Sequence, residues 1–361
     1  MDVGRWRQRF AALNPKPIDL SLSRMQAAAT RLGHPERRLA PHIHIAGTNG
    51  KGGVVAALEA ALTAAGQRVQ SYSSPFLWNF EENIRLNGVS IEPGLCARLF
   101  EQLWTACSDI PLTWFEADTL VAFLAFDTWQ ADVTLIECGM GGGSDATALA
   151  RPPLAAILTN VGGDHAEFLG TDLSRVAQEK AGIAKGAPLY VPANFPHDVG
   201  PVRPVPLTAM HPSLTLANAV LSAHFPGISP LDTMPAQMGR WSRDPGDPHT
   251  LYDVGHNAHA ARFLARRLAQ EPGPYLLELG MLHRKGPQAF LEAFAALGPY
   301  LKPVDLGTDG HTPAHISRLG QEMGIPLWHG EPITTRLVTG SHQTVAKLMP
   351  FCMNKTDGHD V

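Results

Sequence analysis

Gly47-Thr48-Asn49-Gly50-Lys51-Gly52-Gly53 follows the short apolar run His42 to Ala46 and leads into Val54 to Ala65, which reads as a helix closed by Gly66. Such a loop is suited to cradling phosphate. Its glycines let consecutive N–H groups turn inward, the helix N-terminus adds the positive end of its dipole, and the Lys51 ammonium reaches the terminal phosphates. The stretch lacks the usual Gly-Lys-Ser/Thr ending, because Gly53 stands where a magnesium-binding hydroxyl is expected. Taken alone, these residues also allow a plain glycine turn with a chance lysine.

Val133-Thr134-Leu135-Ile136-Glu137 is an apolar strand ending in a single acid before a glycine run. A carboxylate at the carboxyl end of a buried strand, beside a phosphate loop, is where a magnesium ligand belongs, although many strands end in an acid that binds nothing. Asp164-His165 follows the strand that ends at Thr159-Asn160, so three strand ends converge on one sheet edge.

Residues in these roles need a layered α/β scaffold, and the composition agrees. The 361 residues are 44% hydrophobic and 17% charged, enough for packed cores and too many for one core alone, so two domains are expected. Lys and Arg number 29 against 33 Asp and Glu, with no long basic block, which argues against a nucleic-acid partner. The 34 glycines and 30 prolines suit many short elements cut by turns. Cys96, Cys107, Cys138 and Cys352 show neither disulfide nor zinc spacing and read as thiols of a reducing compartment. No signal-peptide apolar region or membrane-spanning run is seen, and a cytoplasmic protein with no membrane partner is expected.

The patterning predicts helices over 19–33, 54–65, 116–129 and 172–184, with strands at 42–46, 68–73, 133–137, 154–159 and 188–191. A Pro-rich stretch over 192–212 and a short helix over 214–224 lead to an aperiodic region, about 225–249, read as the linker. Beyond it come strands at 250–254, 275–279, 303–306, 325–328 and 336–339, with helices over 258–270, 287–297 and 313–323. The first domain is therefore set at 1–240, the second at 241–353, and a polar tail at 354–361.

Read together, HIHIAGTNGKGG, SYSSPFL, NFEENIRLNGVSI, TWFEADTLVAF, LIECGMGGGSDAT, TNVGGDHAEFLG and QEKAGIAKG occur in a telling order. It is that of the folylpolyglutamate synthase and dihydrofolate synthase family of the Mur ligase superfamily, which the chain resembles from about residue 19 to about residue 348. Leu251 to Asn257 resembles the family's Asp-Gly-Ala-His-Asn signature, and GMLHRKG and LVTGSHQTV resemble its later strand ends. The resemblance implies a Mur ligase-like α/β fold: a P-loop-containing, mostly parallel sheet domain followed by a smaller Rossmann-like one. It also implies an ATP- and magnesium-dependent ligase in which a carboxylate becomes an acyl phosphate that the amino group of L-glutamate attacks. The acceptor would be dihydropteroate or a tetrahydrofolate, and the protein a monomer.

Carried over by residue, Lys51 would hold the β/γ-phosphates within the loop Gly47 to Gly53, and Ser74, Glu137 and His165 would bind metal. Lys180 matches the lysine that the family carbamoylates, which then acts as a carboxylate near a second metal. Asn218 would contact adenine and Arg240 the terminal phosphate, while Asp253 and His256 would close over nucleotide and glutamate in a cleft between domains. The chain departs from the family pattern at Gly53 (serine), Phe76 (histidine), Asn83 (arginine), Gly142 to Thr147 (Gly-Arg-Leu-Asp-Ala-Thr, here without its arginine) and Arg284-Lys285-Gly286 (Asp-Lys-Asp), and its stretch between Lys180 and Asn218 is shorter. A ligase of the same chemistry with another carboxylate acceptor, or a non-catalytic nucleotide-binding paralogue, stands beside the folate-ligase reading.

Overall fold

A computed structural model gives the fold and describes residues 2–14, 21–163, 166–208 and 211–350. It divides into two compact units, Met1–Pro235 and Ala236–Val361.

The first unit carries, in order, α1 (Val3–Leu13), α2 (Ser23–Arg31), β1 (His42–Ala46), α3 (Lys51–Ala64), β2 (Val69–Tyr72), β3 (Ile84–Leu86), β4 (Val89–Ser90), α4 (Pro93–Cys107) and α5 (Trp114–Thr128). It continues with β5 (Val133–Glu137), β6 (Ala155–Leu158), α6 (Ala166–Leu169), α7 (Leu173–Ala181), β7 (Leu189–Pro192), β8 (Arg203–Val205) and α8 (Pro212–His224). Its eight strands lie in the order β4-β3-β2-β5-β1-β6-β7-β8, parallel except that β3, near one edge, runs antiparallel to both β2 and β4.

β1 and β5 are buried at every residue, as expected of central strands covered on both faces. Alternation along them sorts the two cores. Ile43, Ile45, Val133 and Leu135 pack with α3 and α8, whereas Tyr72 and Ile136 pack under α1, α2, α4 and α5. α5, buried from Glu116 to Phe126, starts at a capping box in which Thr113 and Glu116 satisfy each other's backbone N–H.

In the second unit β9 (Arg240–Arg243), β10 (Thr250–Asp253), α9 (Ala258–Leu268), β11 (Tyr275–Leu279), α10 (Pro287–Glu292), β12 (Tyr300–Pro303), α11 (Pro313–Glu322), β13 (Thr335–Thr339) and α12 (His342–Leu348) follow. The sheet order is β12-β11-β13-β10-β9, with only β9 antiparallel. Buried Glu278 of β11 ties its neighbours together through Lys302 of β12 (2.8 Å) and Arg336 of β13 (2.6 Å).

Several elements differ from the sequence reading. The strand placed at 303–306 is instead Tyr300–Pro303, and 325–328 contributes one bridge, Leu327 to Leu301, rather than a strand. β9 arises inside the stretch read as linker, and α1, α4, α12, β3, β4 and β8 were not foreseen. The expected helix start at 19–20 and the tail 354–361 lie outside the described residues.

His42 and His44 point from β1 to the face opposite Ile43 and Ile45. Burial, with Lys185 and Arg151 adding repulsion, lowers the His42 imidazole to about 4; burial lowers His44 as well. Each of these groups binds fewer protons folded than unfolded, so its contribution to stability is present above the unfolded pKa near 6.5 and lost as pH falls towards the folded value. Buried Asp118, raised by burial to about 6, acts with the opposite sign. The His42 effect is therefore read as a difference between variants: replacing His42 with Leu should gain about 3 kcal/mol relative to the parent between pH 7 and 4. Denaturant titrations at the two pH values check it, and a pH-independent difference would refute it.

Candidate active site

The parallel register lines up the strand ends. Glu137 at the end of β5 pairs with Ile45 of β1 on one side, and Ile136 pairs with Tyr72 of β2 on the other. The loop after β1 and Ser74 just beyond β2 therefore flank Glu137. Lys51 opens α3, its Nζ donating to the Gly47 carbonyl at 3.1 Å and standing 3.9 Å from Glu137 Oε1.

The segment after β6 grips the loop from the far side. Thr48 N donates to the Asn160 carbonyl (3.0 Å), Asn49 N to Asn160 Oδ1 (3.0 Å), and Thr159 Oγ1 to the Asn49 carbonyl (2.6 Å). Gly47 is obligatory here: its φ is +141°, and a Cβ would lie 1.9 Å from Thr159 Oγ1. Thr159 and Asn160 were legible in sequence only as a strand end. Their grip on the loop depends on β6 lying beside β1.

The glycine run after β5 wraps the end of α7. Gly143 N donates to the Glu179 carbonyl at 2.9 Å, and Ser144 donates from both N and Oγ to Glu179 Oε1. A Cβ on Gly142 would lie 2.2 Å from the Glu179 carbonyl oxygen and 2.6 Å from Lys180 Cα, so the run is pressed onto the backbone that carries Lys180. Lys180 itself is 5% exposed. Burial, with Asp145 adding to it, pushes the Cys138 thiol up, while Lys180 and Lys51 pull it down.

The departures from the expected pattern have local counterparts. A Cβ on Gly52 would lie 3.6 Å from Glu137 Oε2, whereas one on Gly53 would meet Ser213. The expectation that position 53 offers a hydroxyl to metal is thus corrected: that position faces α8, and Gly52 faces the carboxylate. At the second sheet edge, the main-chain carbonyl of Asn83 accepts from Ser73 N at 2.9 Å, a bond any side chain there would allow, and a guanidinium is present two residues on. It belongs to Arg85, which binds Glu59, Ser73 Oγ and the Glu82 carbonyl. Phe76 packs against Arg7.

Asn218 uses both ends of its amide on the backbone of Leu231, at 2.8 and 3.0 Å, and so fastens 225–235 to α8. His165 lies outside the described residues. Among the described residues no group of three or more His, Cys, Asp or Glu is assembled to hold a metal. No helix there is long and apolar enough to cross a membrane.

In the second unit, Arg240 and Asp253 are register partners on β9 and β10. Asp253 accepts from Trp241 N (2.9 Å) and Gly255 N (2.8 Å), shaping the turn that carries His256, whose Nδ1 lies 3.0 Å from the Val254 carbonyl. Burial raises the Asp253 carboxyl against the pull of Arg240.

No family model matches the chain. The dihydrofolate synthase/folylpolyglutamate synthase of Escherichia coli (strain K12) is 31% identical over 404 aligned residues, covering 96% of this chain and 94% of that protein. This chain belongs to the dihydrofolate synthase/folylpolyglutamate synthase family. The Bacillus subtilis (strain 168) member is 33% identical over 231 residues, 60% of this chain and 53% of that one. Among solved members, E. coli FolC in complex with DHPP and ADP superposes with a TM-score of 0.81 at 28% identity, covering 96% of both chains. A bifunctional synthase with Mn, AMPPNP and L-glutamate bound gives 0.79 at 28% identity, over 96% of this chain and 97% of that one. The α/β, mostly parallel architecture is that of these Mur ligase-like folate ligases.

Proposed function

We propose that this chain is a cytoplasmic, monomeric ligase that joins L-glutamate to the carboxylate of dihydropteroate, of tetrahydrofolate, or of both, consuming ATP through an acyl phosphate. The carrying observation is Lys51 facing Glu137 at the end of β5, with the glycine run that follows β5 pressed onto the backbone of Lys180, in a chain that aligns over nearly its whole length with a folate ligase. Reduced, buried Cys96, Cys107 and Cys138 suit the compartment.

In the first step an acceptor carboxylate oxygen attacks the γ-phosphorus of ATP, the bond to the bridging oxygen breaks, and ADP leaves. In the second the glutamate amine attacks the acyl carbon, phosphate departs with the bonding electrons, and the nitrogen sheds a proton to give the amide. Such a transfer needs positioning and charge neutralisation more than covalent help. The loop N–H groups and Lys51 hold the β- and γ-phosphates, and Glu137, 3.9 Å from the Lys51 ammonium, helps to aim it.

Glu137 and Ser74 offer the hard oxygen donors that magnesium favours, on adjacent strand ends, with His165 as the further ligand that the family resemblance implies. Bound there, magnesium would neutralise phosphate charge. Lys180, held on α7 against the glycine run, is assigned as the carbamoylated residue. Asn218, whose amide is bonded to the Leu231 backbone, is assigned to adenine, and Arg240, Asp253 and His256 are assigned to the phosphate and glutamate. The Phe115 ring, packed on Gly139 of the glycine run with Trp114 edge-on to it, suits a flat heterocyclic acceptor.

The test is ligation assayed with dihydropteroate and tetrahydrofolate side by side. Amide product with either supports the reading. Turnover only with a non-pterin carboxylate would redirect it to another acceptor, and ATP binding without any ligation would leave a nucleotide-binding paralogue.

A further inference from the structure

The segment that opens α8 touches the phosphate loop. Ser213, 3% exposed, donates from Oγ to the Gly50 carbonyl at 3.0 Å. The same carbonyl accepts from Val54 N at 3.1 Å, the first turn of α3. In a trans peptide the C=O and the following N–H point in opposite directions. Two donors on the Gly50 oxygen therefore fix the Gly50–Lys51 peptide plane, aiming the Lys51 N–H away from the α3–α8 interface into the cradle.

Ser213 also occupies the space of the missing side chain. A Cβ on Gly53 would lie 3.0 Å from Ser213 Oγ and 3.2 Å from Ser213 Cβ, with Met234 Cε at 3.5 Å. The first two separations are tighter than ordinary packing, and a serine Oγ would add to the crowding.

We propose that Ser213 is a positioning residue of the phosphate loop, supplying from α8 both the hydrogen bond and the volume that a side chain at position 53 would otherwise supply. It touches no reacting atom; it acts through the Gly50–Lys51 peptide. Glycine at 53 and serine at 213 are then a matched pair. The inference deepens the ATP-ligase reading and rests on its nucleotide-binding part.

The experiment compares the parent, S213A, G53S and G53S/S213A by ADP titration calorimetry, by KM for ATP and for glutamate, and by thermal melting. S213A should weaken ADP binding about three- to tenfold, the range expected for one lost hydrogen bond, with the KM for glutamate unchanged. G53S, although it restores the residue expected from the family pattern, should weaken ADP binding further than S213A does, and G53S/S213A should bind better than G53S. ADP affinity within twofold of the parent in S213A, or a double variant no better than G53S, would overturn the proposal. So would a fall in melting temperature without a change in ADP affinity. Because ADP binding needs no turnover, failure of ligation with every acceptor would count against the function above and leave this comparison readable.

Discussion

Replacing Lys51 with Met is expected to lower ATP-dependent phosphate release by at least about a thousandfold, while the protein remains folded. The ammonium is held where strand β1 turns into α3, bonded to the Gly47 carbonyl at 3.1 Å and 3.9 Å from Glu137. Methionine keeps most of the stem's volume, so the loop's packing against Thr159 and Asn160 survives. What disappears is the only charge of the loop, proposed to reach the transferring phosphoryl group, together with the cation facing buried Glu137. The effect should fall on the chemical step more than on the KM for the acceptor, because charge on the phosphoryl oxygens is redistributed most in the transition state. Phosphate release at saturating substrates, set beside a melting curve, checks it; retained activity within tenfold of the parent would contradict it.

The largest stability effect is expected from Arg7→Ala, about 3–5 kcal/mol. Arg7 of α1 makes a two-pronged contact with Asp118 of α5, Nε to Oδ1 at 2.9 Å and Nη2 to Oδ2 at 2.8 Å. Its guanidinium also lies about 5 Å from the rings of Phe76 (5.0 Å), Phe80 (5.1 Å) and Trp114 (5.4 Å). Removal leaves a buried carboxylate with no counter-charge and an emptied aromatic cage. Burial already raises Asp118 to about 6, and without Arg7 it rises further. Protonation then relieves the buried charge, so the penalty should be larger at pH 8 than at pH 5. Denaturant melts at both values decide it: a loss below about 1 kcal/mol, or one that grows as pH falls, would contradict the account. The same cage explains Phe76, since a histidine there would bring a second cation-forming ring against Arg7.

Much of this was legible from sequence because the chemistry sits where short apolar runs meet glycine. β1 and β5 are continuous buried strands directly abutting GTNGKGG and CGMGGG, and that abutment placed Lys51 and Glu137 on one edge. Other elements carry local signals of their own. Val3, Trp6 and Phe10 have helical spacing behind the Asp2 cap, α4 starts at a Glu92 cap with Pro93 first, and Asn87-Gly88 is a hairpin turn between β3 and β4. β8 and β9 gave little to read, being short edge strands, mostly exposed, with Pro204 in the first. Least legible were the long-range partners. Arg7 meets Asp118 across 111 residues and Ser213 meets Gly50 across 163, and only folding brings these pairs together.

The central claim is that the acceptor carboxylate itself is phosphorylated before glutamate attacks. Ligation of an acceptor whose carboxylate carries a heavy-oxygen label, followed by mass analysis of the released phosphate, tests this most directly. The account predicts that each turnover passes one labelled oxygen into phosphate, and that release requires acceptor and L-glutamate together. Phosphate free of label, formed at the same rate as the amide, would contradict it.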